Sequence, residues 1–148
     1  MTLLALITSA ILWPIAGLHM LWAFGNPWPF KTEHDLAKSV GGPSLDHTIG
    51  AGAKFIITVL AAGAIWVAGL LPLMHTGALP SLIGEGALFW LLVLQTIVFL
   101  IRGALGYIDL APASAHEPFS TYNRRYFSPL IISLGLTCAA ILIFSAET

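Results

Sequence analysis

Charged side chains are scarce in this sequence. They make up 9% of the 148 residues, whereas hydrophobic residues make up 57%, and the mean hydropathy is +0.89. A soluble domain carries about 25% charged residues, so this chain lacks the polar surface needed to face water on all sides. Six basic and seven acidic residues give a formal charge of −1, which argues against a nucleic-acid partner. We therefore expect one integral membrane domain over residues 1–148.

Residues that bind metals or form disulfides are also few. Cys138 is the single cysteine, so it can form no internal disulfide, and we expect it to be a packing residue. Two acid–histidine pairs occur in the first loop, His34-Asp35 and Asp46-His47. Their spacing matches no compact ligand pattern, and we expect no metal and no cofactor. Metal binding by these four residues is the alternative that the sequence leaves open.

Long apolar segments are abundant, and they define the predicted fold. They cover about residues 2–24, 50–71, 81–108 and 129–144, and a helix of about 20 apolar residues crosses a bilayer. No Lys or Arg precedes the first segment, so we expect it to be a retained span rather than a signal peptide. Pro72 is expected to end the second span, and Ser81 to cap the third. The predicted fold is all-α, a four-helix transmembrane bundle.

The first loop contains a short predicted interfacial helix over residues 33–40. Thr32 and Asp35 have the spacing of a capping box. Leu36, Ala37 and Val40 share one face, as expected of a helix that lies on the membrane.

Three polar residues of the third span are seven positions apart: Gln95, Arg102 and Asp109. Seven residues are nearly two helical turns, so the three project from about one face. Lipid cannot satisfy such a face, so other helices must pack against it or water must reach it.

The basic residues indicate the orientation. All six lie in or beside the two long loops: Lys31, Lys38, Lys54, Arg102, Arg124 and Arg125. The positive-inside rule therefore predicts a multi-pass protein with both long loops in the cytoplasm and both termini outside.

This orientation gathers polar side chains from all four spans or their flanks at the cytoplasmic end. Such a cluster suits an anionic or zwitterionic head group, and neutralisation by its own acidic members is the structural alternative. The candidate ligand-binding residues are His19, Trp22, Lys54, Gln95, Arg102, Asp109, Asn123, Arg124, Arg125 and Tyr126.

Four segments resemble a family of small bacterial four-span membrane proteins grouped as a domain of unknown function. They are residues 17–25 (GLHMLWAFG), 36–41 (LAKSVG), 102–103 (RG) and 123–130 (NRRYFSPL). The resemblance implies a location in a bacterial inner (cytoplasmic) membrane, and the family brings no settled activity. The resemblance implies that His19, Trp22, Arg102 and residues 123–130 are where a functional site should be sought first.

Three functions fit these observations. We favour the binding or transport of a small amphiphilic or anionic molecule, with membrane lipid as a partner. Transport would require a homo-oligomer, since four short helices leave little room for an alternating-access path. The second is an accessory or structural subunit of a larger membrane complex, using the small-residue faces of spans two and four. The third is an intramembrane enzyme with His19 as acid or base and Arg102 stabilising negative charge, although no nucleophile motif accompanies them.

Overall fold

The computed structural model describes residues 1–41, 50–108 and 117–145, and over that part of the chain it contains helices and no strands. The helices are α1 (Thr2–Ala23), α2 (Glu33–Val40), α3 (Ala51–His75), α4 (Glu85–Leu105) and α5 (Phe119–Tyr122), then a π-helix (Asn123–Phe127) and α6 (Ser128–Ser145). Within these described ranges, four helical segments are long and apolar enough to cross a membrane: α1, α3, α4 and the continuous run Phe119–Ser145. The predicted four-helix bundle is confirmed, and the protein is a multi-pass membrane protein.

The bundle consists of two antiparallel helix pairs, α1 with α3 and α4 with α6. We call the end that holds Met1, Ser145 and the α3–α4 connection the terminal end. The opposite end, which holds α2, α5 and the π-helix, is the loop end.

Within the first pair, a glycine allows α1 to approach α3 closely. A Cβ atom at Gly69 would lie 2.5 Å from Nε1 of Trp13, so only glycine fits beneath the indole ring. Ser9 Oγ donates to the Gly69 carbonyl at 2.6 Å, and Trp13 stacks on Trp66 with ring centroids 5.2 Å apart.

Within the second pair, small residues serve the same purpose. A Cβ atom at any of three glycines would meet a residue of the facing helix: Gly103 with Ile132, Gly106 with Ser128, and Gly135 with Leu100. These three glycines therefore serve contacts inside the chain.

The buried apolar core lies at the terminal end. It contains residues of all four long helices, namely Ala5, Leu71, Leu73, Leu88, Leu92, Cys138 and Ile141. This cluster holds the two pairs together at one end of the bundle, and the space between them widens toward the other end.

Three predicted boundaries are corrected by the structure. α3 does not end at Pro72 but continues to His75. α4 begins at Glu85 after Gly84 rather than at Ser81, because the Ser81 hydroxyl instead closes a local turn with the backbone of Ile83. α4 also ends earlier than predicted, at Leu105.

The short helix α2 forms where it is predicted. Thr32 Oγ1 accepts a hydrogen bond from the Asp35 amide at 3.1 Å, which caps its first turn. Its apolar residues are buried within the protein, since Leu36 is 8% exposed and Ala37 is 3% exposed. The predicted apolar face is therefore real, but it packs on the bundle rather than facing lipid alone.

Candidate functional site

A cavity of about 900 Å³ lies at the loop end, between the two helix pairs and beneath α2. Most of its wall is apolar, with residues of all four long helices such as Leu12, Ile15, Ile65, Val98 and Leu134. Its titratable lining residues, among those that the structure describes, are His19, Glu33, Lys54 and Arg102. The cavity is thus an apolar chamber with a few ionic groups.

Four of the predicted site residues line this cavity: His19, Trp22, Lys54 and Arg102. They come from three different helices and are far apart in sequence. The structure therefore places together the residues of α1, α3 and α4 that the sequence assigns to one end of the bundle.

His19 lines the cavity, and one of its two ring nitrogens is bonded within α1. Its Nδ1 lies 2.8 Å from the carbonyl oxygen of Ile15, and a carbonyl can only accept, so Nδ1 carries a hydrogen. Nε2 is then an acceptor when the ring is neutral and a donor when the ring is protonated. The His19 ring packs beside Trp22, with centroids 4.8 Å apart, and the Trp22 indole donates to the Trp28 carbonyl at 2.8 Å.

Arg102 is supported by a buried amide. Its Nη2 donates to Oδ1 of Asn123 at 3.3 Å, and Asn123 is only 3% exposed. Asn123 Nδ2 donates to the Gly106 carbonyl at 3.2 Å, and Ser128 Oγ donates to Asn123 Oδ1 at 3.4 Å. Asn123 therefore does not line the cavity but holds the guanidinium group of Arg102, a residue that does.

Lys54 lies on the first turn of α3 and is half-buried. Across residues 1–41, 50–108 and 117–145, no hydrogen bond or ion pair involves its ammonium group. Among the residues that the structure describes, Glu33 is the acidic residue that shares the cavity wall with Lys54.

Ring contacts between α1 and α3 show how deep His19 lies in the bundle. They join α1 to α3 at two heights, Trp13 with Trp66 at 5.2 Å and Phe24 with Phe55 at 5.8 Å. Since the helices are antiparallel, these contacts place His19 level with Leu60 of α3.

The depth of Arg102 follows from the contact between α4 and α3. Gln95 bonds to Ala68, and Arg102 lies seven residues nearer the loop end, level with Ala61. His19 and Arg102 are thus at one depth. At 1.5 Å per residue, Lys54 lies about 10 Å closer to the loop end, and Leu12 forms a floor about 10 Å deeper than His19.

The other predicted site residues lie elsewhere. Gln95 is buried at the contact of α3, α4 and α6, where its Nε2 faces the Ala68 carbonyl at 3.0 Å and Cys138 Sγ at 3.5 Å. The exposed residues of the π-helix are Arg124, Arg125 and Tyr126, and the Arg125 guanidinium lies 5.5 Å from the centre of the Tyr126 ring.

Several predicted residues cannot be placed in this way. Asp109, Asp46 and His47 lie outside the described residues. His34 and Asp35 are exposed on α2, and within the described ranges no three His, Cys, Asp or Glu side chains come together as a metal site.

The sequence did not predict that α2 forms part of the cavity wall. Leu36, Ala37 and Val40 line the cavity, and Gly41 after them packs under Phe119, whose ring would lie 3.2 Å from a Cβ atom there. The spacing of the three residues identifies the apolar face, but it does not tell which surface that face covers.

These features define the class: a small four-helix membrane protein that is closed by its core at one end and contains a cavity with ionic groups at the other. The family described as "protein of unknown function (DUF3995)" matches residues 12–138, and the chain belongs to this family. No curated protein and no solved structure matches the chain.

Proposed function

We propose that this protein binds a small amphiphile with an anionic head group inside the membrane, in the cavity at the loop end. The observation that carries this proposal is the convergence of His19, Lys54 and Arg102 on one apolar chamber. An anionic head group would contact His19 and Arg102, with Lys54 nearer the loop end, and an apolar tail would contact the apolar wall.

Electrostatics favours an anion as the occupant. Charges near the low-dielectric interior of a membrane protein are costly unless they are paired. Lys54 has no partner among the described residues, and Arg102 is bonded to the neutral amide of Asn123. A bound phosphate or carboxylate would supply a negative charge next to these two cations.

The size of the cavity favours a single-chain ligand. Pockets for drug-sized molecules measure about 300–1,000 Å³, and this cavity lies near the upper end of that range at about 900 Å³. We therefore propose a ligand with one apolar chain, and transport of that ligand would need a second copy of the protein.

The accessory-subunit alternative rests on the small-residue faces of spans two and four. Two glycines of these spans are used inside the chain, because Trp13 packs on Gly69 of α3 and Leu100 packs on Gly135 of α6. The cavity thus gives the binding function a specific structural basis that the accessory function lacks.

We also propose that the loop end faces the cytoplasm of a bacterial cell. All six Lys and Arg residues lie at or near this end, and the connection between α3 and α4 at the opposite end carries none. This asymmetry is what the positive-inside rule relates to cytoplasmic loops.

The test is a comparison of two single-chain lipids with the same acyl chain. Purified protein should bind oleoyl lysophosphatidic acid more tightly than monooleoylglycerol, which lacks the phosphate. Arg102→Leu should weaken lysophosphatidic acid binding about tenfold or more, since a hydrogen bond to a charged group contributes about 1.5–3 kcal/mol. Arg125→Leu is the matched control, because Arg125 does not line the cavity and should leave the affinity unchanged. Equal affinity for the two lipids would overturn the proposal.

A further inference from the structure

The cavity has an incomplete wall where α3 faces α4. These helices are joined by the hydrogen bond from Gln95 to Ala68 and by the apolar core beside it. Ile57 lies eleven residues, about three turns, from Ala68, so it is on the same face of α3. Val98 and Arg102 lie three and seven residues from Gln95, on the corresponding face of α4. The two faces that meet at Gln95 therefore continue toward the loop end.

Toward the loop end, the side chains on these two faces are exposed. Ile57 is 46% exposed and Val98 is 50% exposed, although both line the cavity. On the α1 and α6 side, the lining residues Leu18, Trp22 and Ile131 are only partly exposed, and Leu130 is 36% exposed. The large apolar side chains of the wall are thus most exposed where α3 faces α4, and we call this part of the wall the gap.

The depth of the cavity limits the length of the tail that fits inside it. The apolar floor lies about 10 Å below His19 at 1.5 Å per residue. A lipid tail that spans one leaflet covers about half of the 30 Å hydrocarbon core, or about 15 Å. A tail of that length would not fit beneath the head group, and it would need a way out of the bundle.

We propose that the gap between α3 and α4 is a lateral portal for a single-chain anionic lipid from the bilayer. The head group is held at the depth of His19 and Arg102, and the tail passes between Ile57 and Val98 into the surrounding acyl chains. Lys54 lies at the loop end of the same gap and is the cation that the head group meets as it leaves the membrane surface. This inference rests on the proposed function and specifies the ligand and its route.

The test uses lysophosphatidic acid with a photoactivatable diazirine near the end of its chain. The full protein is reconstituted in phosphatidylcholine vesicles that contain this probe, and the cross-linked peptides are identified by mass spectrometry. The proposal expects cross-links on the α3 and α4 residues that border the gap. Cross-links confined to α1 and α6, or to the cavity floor, would overturn it.

Substitutions in the gap supply a matched comparison. Ile57→Trp and Val98→Trp should each lower the cross-linking yield about tenfold, equivalent to about 1.4 kcal/mol. Ile56→Trp and Ile97→Trp are the controls, since Ile56 and Ile97 are exposed on the same helices at 58% and 48% but do not line the cavity. Equal effects of gap and control substitutions would overturn the portal. Ile57→Phe and Val98→Phe repeat the comparison with smaller side chains if a tryptophan variant does not assemble.

Two further probes separate failure of the portal from failure of the proposed function. Hexyl phosphate has a chain short enough for the floor, so the gap variants should weaken its binding much less than that of lysophosphatidic acid. An equal loss of affinity for both ligands would assign Ile57 and Val98 to the head-group pocket and overturn the portal alone. If the diazirine analogue of monooleoylglycerol cross-links as strongly as the anionic probe, the proposed function itself fails.

Discussion

The side-chain amide of Gln95 on α4 donates a hydrogen bond of 3.0 Å to the main-chain carbonyl of Ala68 on α3. In a regular helix that carbonyl would accept from the residue four positions later, which here is Pro72 and has no N–H group. Gln95 thus replaces the missing bond, and α3 continues through the proline to His75. An apolar membrane interior offers no water to do this instead.

This relationship predicts that Gln95 and Pro72 are energetically coupled. Gln95→Leu leaves the Ala68 carbonyl unpaired and should destabilise the bundle by about 1 kcal/mol, as is typical of hydrogen bonds between membrane helices. In a Pro72→Ala background the alanine N–H can serve the carbonyl, so Gln95→Leu should cost much less. Thermal unfolding of the four proteins in one detergent measures the coupling. Strictly additive effects would show that the two residues act independently.

A second prediction concerns the close contact between α4 and α6. A Cβ atom at Gly103 would lie 3.1 Å from the backbone nitrogen of Ile132 and 3.2 Å from the backbone oxygen of Ser128. Backbone atoms cannot move aside as a flexible side chain can, so Gly103→Ala should destabilise the protein by about 1–3 kcal/mol.

Gly63→Ala is the matched control for Gly103→Ala. No atom lies within 4 Å of a Cβ built at Gly63, which is also inside a long helix. Alanine there should be neutral or stabilising by up to about 1 kcal/mol, because alanine is the better helix former. Thermal unfolding compares the two variants, and similar losses at both sites would contradict the assigned packing.

The sequence predicts the helices well because apolar runs of this length have few alternatives in a membrane. Local hydrogen bonds shift the ends of the helices from their predicted positions. The Ser81 hydroxyl could cap a helix, but it bonds to Ile83 instead, and α4 starts four residues later at Glu85. Pro72 is typical of a helix end, but here Gln95 of another helix donates to the Ala68 carbonyl and α3 continues. Such a partner is a tertiary feature that a local pattern does not contain.

The candidate site was predictable in part for the same reason. Charge distribution along the chain assigned His19, Lys54 and Arg102 to one end, and they do line one cavity. The seven-residue spacing of Gln95 and Arg102 did not reveal that Gln95 would be buried against the backbone while Arg102 lines the cavity. Pro72 within an apolar span was the sequence feature that could have indicated this role. It leaves the Ala68 carbonyl without its helical donor, so another group must donate a hydrogen bond to it.

A third prediction assigns Asn123 a positioning role. Asn123 is buried outside the cavity and accepts the hydrogen bond of Arg102 at 3.3 Å. Asn123→Ala should therefore weaken lysophosphatidic acid binding about tenfold, because the guanidinium group loses its support. Binding of monooleoylglycerol should change much less, since that lipid has no charge for Arg102 to contact. A purely structural role would instead lower the affinity for both lipids to the same extent.

The last prediction tests the orientation of the bundle by chemical labelling. In a Cys138→Ser background, a cysteine at Leu82 reports on the connection between α3 and α4, where Leu82 is 83% exposed. A cysteine at Lys38, exposed on α2, reports on the loop end. Because basic residues are retained on the cytoplasmic side, a membrane-impermeant maleimide added to intact bacterial spheroplasts should label Leu82→Cys and leave Lys38→Cys unlabelled. After the membrane is opened with detergent, Lys38→Cys should be labelled as well, which shows that the thiol is reactive. The reverse pattern in intact spheroplasts would place the cavity on the outer side, and its ligand would then belong to the outer leaflet.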